Sequence, residues 1–236
     1  MAAPSSEYNS NLKYAVDIVM CIDSTGSMGP TLKHVKESAL SFHERLNSVM
    51  AEKGKAISQL RLRAIAFRDF GHRAEDAIQQ TGFLTFPAQA AEFETFVNAL
   101  EPTGGGDIPE SGLEALALAV QSPWESGLDR RRHVIVLFTD APAHHLGDPT
   151  QTRASTYPSS VPRSMDDLFE QWGYAQSQLA RMENSAKRLL IFAPEASPWT
   201  EISEDWNNTL FFPSQAGDGL EEWEMDEIIN TIANSL

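Results

Sequence analysis

The chain has 236 residues, 42% of them hydrophobic and 22% charged, which suits one large α/β domain with an ample core. With 33 acidic against 18 basic residues the formal charge is −15, so a phosphate backbone or an anionic membrane surface is repelled at long range and neither is an expected partner. No apolar run is long enough to span a bilayer, and the single cysteine, Cys21, excludes an internal disulfide and reads as a small buried hydrophobe.

Residues 1–13 are polar, lack the basic and apolar regions of a signal peptide, and are expected to form a flexible N-terminal segment of a cytoplasmic protein. A single domain is expected over 14–236. Apolar runs of strand length at 15–22, 60–67, 78–85, 133–139, 188–192 and 209–212 alternate with helix-period segments at 31–50, 88–100, 110–120, 165–182, 200–206 and 220–233. That alternation predicts an open, doubly wound, mostly parallel six-stranded sheet with helices on both faces, a Rossmann-like α/β fold. Only the short link 68–76, which contains Gly71, separates the second and third strands. They are expected to form a hairpin that leaves the third strand antiparallel at an edge. Leu220, Trp223, Ile228, Ile229 and Ile232 recur at helical spacing and dock the last helix on the sheet. Trp172 and Trp206 fall on helix faces and read as core. Segment 141–163, rich in Pro, Ser, Thr and His, is expected to be a long irregular loop, a length that compact domains use mainly for binding or as a lid.

The chemistry concentrates where strands end. Asp23-x-Thr25-x-Ser27 follows the first apolar strand and offers one carboxylate and two hydroxyl oxygens from one tight turn. Hard divalent cations take oxygen ligands, and so few protein ligands would leave a coordination position open. In open α/β sheets ligands bind beyond the carboxyl ends of the strands. Asp23, Asp69, the 104–110 loop and Asp140 all fall on that rim. Each group also has a plainer role open to it. Asp23 and Thr25 could cap the helix that follows. Gly104, Gly105 and Gly106 could cradle a phosphate, although no Gly-Lys-Ser/Thr follows them. Arg68 and Asp69 could pair with each other. His144 and His145 could bind a softer metal, move protons or simply be solvated, and His34, His43, His72 and His133 show no ligand spacing.

Asp23-x-Thr25-x-Ser27, Gly104-Gly105-Gly106-Asp107-Ile108-Pro109-Glu110 and Phe138-Thr139-Asp140 together resemble the von Willebrand factor A (VWA) domain and its metal-ion-dependent adhesion site, over nearly the whole chain from Tyr14. The resemblance implies Asp23, Thr25 and Ser27 as the first ligand set and Asp140 as the last. Asp107-Ile108-Pro109-Glu110 and Thr139-Asp140-Ala141-Pro142-Ala143-His144 are similar to the integrin beta branch, which implies Glu110 as the middle ligand, with Thr103 the alternative. The same branch implies a neighbouring cation site from Asp69, Asp107, the Pro109 carbonyl and Glu110, although Gly105 stands where the branch has an asparagine. Gly29 and Pro30 replace the acidic residues that a further site of the branch requires.

The function that the resemblance implies is that of a non-enzymatic, divalent-cation-dependent protein-binding module. Mg²⁺ or Mn²⁺ would sit at the first site, Ca²⁺ at the neighbouring one, and an Asp or Glu of a partner protein would complete the shell. His144, His145 and Asp148 on the 141–163 loop are expected to contact that partner. Two alternatives stay open: a metal-assisted hydrolase with His144 or His145 as base, and a non-catalytic scaffold subunit.

Overall fold

The structure, a computed structural model, describes residues 12–38, 41–104, 109–126, 130–174, 179–217 and 225–235. Among these, seven strands form one sheet: β1 (Leu12–Asp23), β2 (Lys55–Phe67), β3 (Ile78–Gln80), β4 (Leu84–Phe86), β5 (Arg131–Phe138), β6 (Lys187–Pro194) and β7 (Thr209–Ser214). The order is β3-β2-β1-β5-β6-β7, with β4 also paired to β2. Strands β2, β1, β5, β6 and β7 run parallel, while β3 and β4 lie antiparallel to β2. The doubly wound α/β architecture expected from the sequence is therefore present, of the kind seen in Rossmann and VWA domains.

Among the described residues, nine helices surround the sheet: α1 (Gly29–Ser38), α2 (Phe42–Glu52), α3 (Phe70–Arg73), α4 (Ala90–Ala99), α5 (Gly112–Val120), α6 (Pro149–Thr152), α7 (Met165–Trp172), α8 (Trp199–Asp205) and α9 (Met225–Ser235). Side chains alternate across a strand, and β1 divides the core accordingly. Val16, Ile18, Met20 and Ile22 pack with α1, α2, α4 and α9, whereas Val19 and Cys21 pack with α5, α7 and α8. Every residue of α5 is buried, in keeping with a circumference that is apolar apart from Glu114.

Several boundaries differ from expectation. The 31–50 segment is not one helix: a 3₁₀ turn at Gly26–Met28 leads into α1, and α2 is separate. The 78–85 strand is two short strands, β3 and β4, each on a different stretch of β2, and α3 occupies the link to β2. Helix α7 stops at Trp172, where Gly173 takes φ 78°, the left-handed region that favours glycine. Buried Lys187 then donates to the carbonyls of Trp172 and Gly173, closing the helix end. Residues 220 and 223 of the last predicted helix lie outside the described residues, while Ile228, Ile229 and Ile232 pack as expected. The 141–163 segment is tied down rather than open. It contains α6, buries Leu146, Gln151 and Val161, and bridges Ala143 to Glu110.

The register levels the strand ends. Asp23 pairs with Phe67 and Ile22 with Phe138, so Asp23, Arg68-Asp69 and Thr139-Asp140 leave the sheet side by side. Helices from β1 go to one face and those from β5 to the other, which makes the β1/β5 boundary the crevice of this sheet.

Candidate functional site

Asp23 sits at the last position of β1, fully buried. Its Oδ1 accepts hydrogen bonds from the Thr25 backbone N (2.9 Å) and Thr25 Oγ1 (2.6 Å), and its Oδ2 accepts from Thr139 Oγ1 (2.7 Å). Ser27 Oγ donates to Asp140 Oδ1 at 3.1 Å. The turn itself is clasped by the next loop, since Gly26 N donates to Gly104 O and Thr103 N to Ser24 O. A Cβ on Gly26 would stand 3.1 Å from that Gly104 oxygen, so the close approach of the two loops favours glycine here.

Glu110 is brought in by backbone pairing. Its N donates to Pro142 O, and its own carbonyl accepts from His144 N. It lies in this bridge just before α5 rather than in the helix. The side chain is 2% exposed, and Oε2 finds no hydrogen-bond partner among the described residues. Burial, followed by the fields of Asp23, Asp69 and Asp140, pushes its pKa up to about 9, although Arg68 opposes this. Asp23 is pushed up to about 6, chiefly by burial, against its bonds from Thr25 and Thr139. The rim thus gathers carboxylates beyond what its own hydrogen bonds neutralise. Buried Arg68 does not pair with Asp69. Its guanidinium donates to the carbonyls of Thr103, Asp76 and Glu101, with the Asp76 carboxylate 3.7 Å away.

Asp69 faces a different set of partners. Oδ1 accepts from Gly71 N (2.9 Å), and Oδ2 is 2.6 Å from His72 Nδ1. Burial raises its pKa, but bonds from His72, Gly71 N and Gln151 outweigh that and hold it below the ordinary value. His144 Nε2 lies 3.4 Å from Asp69 Oδ1 and its Nδ1 3.7 Å from Asp148 Oδ2, so this histidine is held between two carboxylates. Asp148 also caps α6 through Thr150 N. His145 is exposed and faces away, toward α8. Asp107 lies outside the described residues, so of the neighbouring site only Asp69, Pro109 and Glu110 are placed. Thr103, the alternative middle ligand, accepts a hydrogen bond at Oγ1 from Arg73.

The donor set fits a hard cation. Asp23, Glu110 and Asp140 supply carboxylate oxygens, Thr25 and Ser27 supply hydroxyls, and the unpaired Oε2 of Glu110 is a buried acceptor lacking a positive partner. In the described geometry the two hydroxyls donate to carboxylates and would have to turn their lone pairs inward to coordinate. No group of three His, Cys, Asp or Glu side chains closes on one point as a metal cluster among the described residues. Two supporting features go beyond the residues that the sequence pointed to: the Thr139 hydroxyl on Asp23, and the floor beneath Glu110. In that floor Ser111 Oγ donates to Gln151 Oε1, while Phe70 N donates to both oxygens. Thr139 was visible as a hydroxyl next to Asp140. Gln151 carried no sequence signal.

A family model described as "von Willebrand factor A domain" matches residues 79–154. Over 156 residues, 65% of the chain, the sequence is 26% identical to the "Alpha-protein kinase vwkA" of Dictyostelium discoideum, of which the match spans 23%. Among solved structures, the pilus adhesin SpaC from Lactobacillus rhamnosus GG in its open conformation superimposes with a TM-score of 0.54. The match covers 95% of this chain and 30% of the adhesin at 12% identity. A second form of the same adhesin gives the same TM-score, with 31% of its chain covered. These structural likenesses concern the fold. The chain spans less than a third of each of these proteins.

Proposed function

We propose that the chain is a divalent-cation-dependent protein-binding module of the adhesion type, with loops closest to the integrin beta branch. Asp23, Thr25, Ser27, Glu110 and Asp140 hold Mg²⁺ or Mn²⁺, and an Asp or Glu of a partner protein supplies the last ligand. The observation that carries this is the buried, unpaired Oε2 of Glu110 beside Asp23 and Asp140, because burial and neighbouring carboxyls hold it off ionisation and a cation would supply the missing positive charge. That one fold neighbour is a pilus adhesin is in keeping with this reading.

The residues divide the work. Thr139 and the Thr25 amide fix the Asp23 carboxylate, the Ser27 bond orients Asp140, and the Pro142–Glu110–His144 backbone ladder fixes Glu110 relative to both. A bound cation contributes Lewis acidity toward an incoming carboxylate. Glu110, once ionised by such a cation, would temper that acidity.

Isothermal titration of MgCl₂ into the chain after EDTA stripping tests the reading. One-site binding is expected for the wild type, and none for Asp23→Ala or Asp140→Ala, with circular dichroism unchanged. Heat identical in wild type and variants, or partner capture from the native cell that persists in excess EDTA, would overturn it.

A further inference from the structure

The groove between α7 and α8 lies beside the cation rim but on the β6 side of it, and none of the proposed cation ligands lines it. It encloses about 520 Å³. Its apolar wall is made by Met165 and Phe169 of α7 with Pro198, Ile202 and Trp206 of the α8 segment. Phe169 and Trp206 meet at 5.8 Å, and Trp206 stacks on buried Trp172 at 5.4 Å, so this wall is anchored to the core. The apolar surface continues outward through Tyr174, which is 62% exposed and 6.5 Å from Phe169.

The rim of the groove is acidic. Asp166, Glu201 and Asp205 are all exposed lining residues, and none forms an ion pair among the described residues. His145 is the one basic-type side chain in the lining. An apolar cleft framed by three carboxylates is complementary to a chain segment in which large apolar side chains alternate with Lys or Arg, the inverse of the acidic residue proposed for the cation.

We propose that this groove is a second protein-docking site, which takes a segment of a partner bearing a large apolar side chain flanked by lysine or arginine. The apolar residue lies in the groove against the wall that Phe169 and Trp206 form with Met165 and Ile202, and the flanking cations meet Asp166, Glu201 and Asp205. The site requires no cation of its own, so it stands whether or not the adjacent rim binds metal. Where both operate, one partner presents an acidic residue and a basic-apolar segment, and the two contacts act as linked valences.

The probe is a fluorescein-labelled peptide, Lys-Leu-Phe-Arg-Lys-Leu, titrated into the isotope-labelled chain in EDTA at physiological ionic strength and followed by anisotropy and amide chemical shifts. Shifts are expected at 165–169, 198–206 and His145, and Asp166→Lys/Glu201→Lys/Asp205→Lys is expected to weaken binding at least about tenfold. Phe169→Ser should weaken it comparably, and the Glu-substituted peptide should not bind. Because a chain of charge −15 attracts any cationic peptide weakly, the control reverses three exposed charges elsewhere, at Glu52, Glu92 and Glu101. Equal loss in the control and the groove triple, shifts scattered over the surface, or a Phe169→Ser variant that folds and binds as wild type would each overturn the proposal.

Discussion

Asp17 and Asp23 are both buried aspartates on β1, and they are treated in opposite ways. Toward the amino edge of the sheet, Asp17 meets Arg61 in a two-pronged ion pair, Nε to Oδ1 at 2.7 Å and Nη2 to Oδ2 at 2.5 Å, and accepts a third bond from Glu125 N. Toward the carboxyl edge, Asp23 meets hydroxyls and one amide, with further carboxylates close by. The first arrangement is complete within the protein. The second crowds carboxyls together, so that burial and mutual repulsion resist their ionisation, which suits the cation-binding role proposed for it.

The largest test acts on that contrast directly. Arg61→Met strands the Asp17 carboxylate in the sheet and is expected to cost on the order of 3 kcal/mol in urea unfolding. Glu110→Gln, measured in EDTA, should cost little, because a carboxyl whose pKa is pushed up to about 9 is already protonated and the amide keeps it neutral. Equal losses would break the distinction between the two edges. Next in size is the cation itself. Mg²⁺ at a hundredfold excess over its dissociation constant should raise the unfolding free energy of the wild type by about 2.7 kcal/mol. Glu110→Gln and Asp140→Asn should abolish that gain, while Arg61→Met should retain it.

Gly112 sharpens the comparison from beneath the rim. A Cβ there would meet the buried Trp199 ring at 2.8 Å, so Gly112→Ala is expected to cost about 1 to 3 kcal/mol by overpacking. Since Trp199 Nε1 donates to Ala141 O beside Asp140, calorimetry should also record weaker Mg²⁺ binding. The last test concerns pH and Glu114, a buried carboxyl behind the site that accepts a hydrogen bond from the Tyr157 hydroxyl. Burial leads the causes that push its pKa from the ordinary 4.5 up to about 7. The native state therefore holds this proton more tightly than the unfolded chain. Its contribution is complete below pH 4.5 and is lost as pH rises through 7. Glu114→Gln should flatten the stability profile between about pH 5 and 8 in thermal melts.

Much of this was legible in the sequence because it is local. The apolar runs of β1, β5 and β6 and the Asp23-x-Thr25-x-Ser27 turn need only neighbours in the chain to be recognised. The misses are of two kinds. Some had a signal: Gly173 stands where α7 ends, and Gly82 falls between β3 and β4. Others had none, because their cause is distant in sequence. Arg61 reaches Asp17 only through the β1–β2 register, Gln151 reaches Phe70 and Ser111 across the fold, and Arg68 turns from Asp69 to loop carbonyls that the sequence cannot place next to it.

Trp199 gives the candidate site an optical consequence. Its indole is fully buried, packs over Gly112 and is bonded through Nε1 to the residue after Asp140. The chain has five tryptophans, so fluorine-labelled tryptophan would report each as its own resonance. Among the described tryptophans the Trp199 signal is the one placed to move if the rim takes up a cation, which would turn a packing residue into a built-in spectroscopic gauge of occupancy.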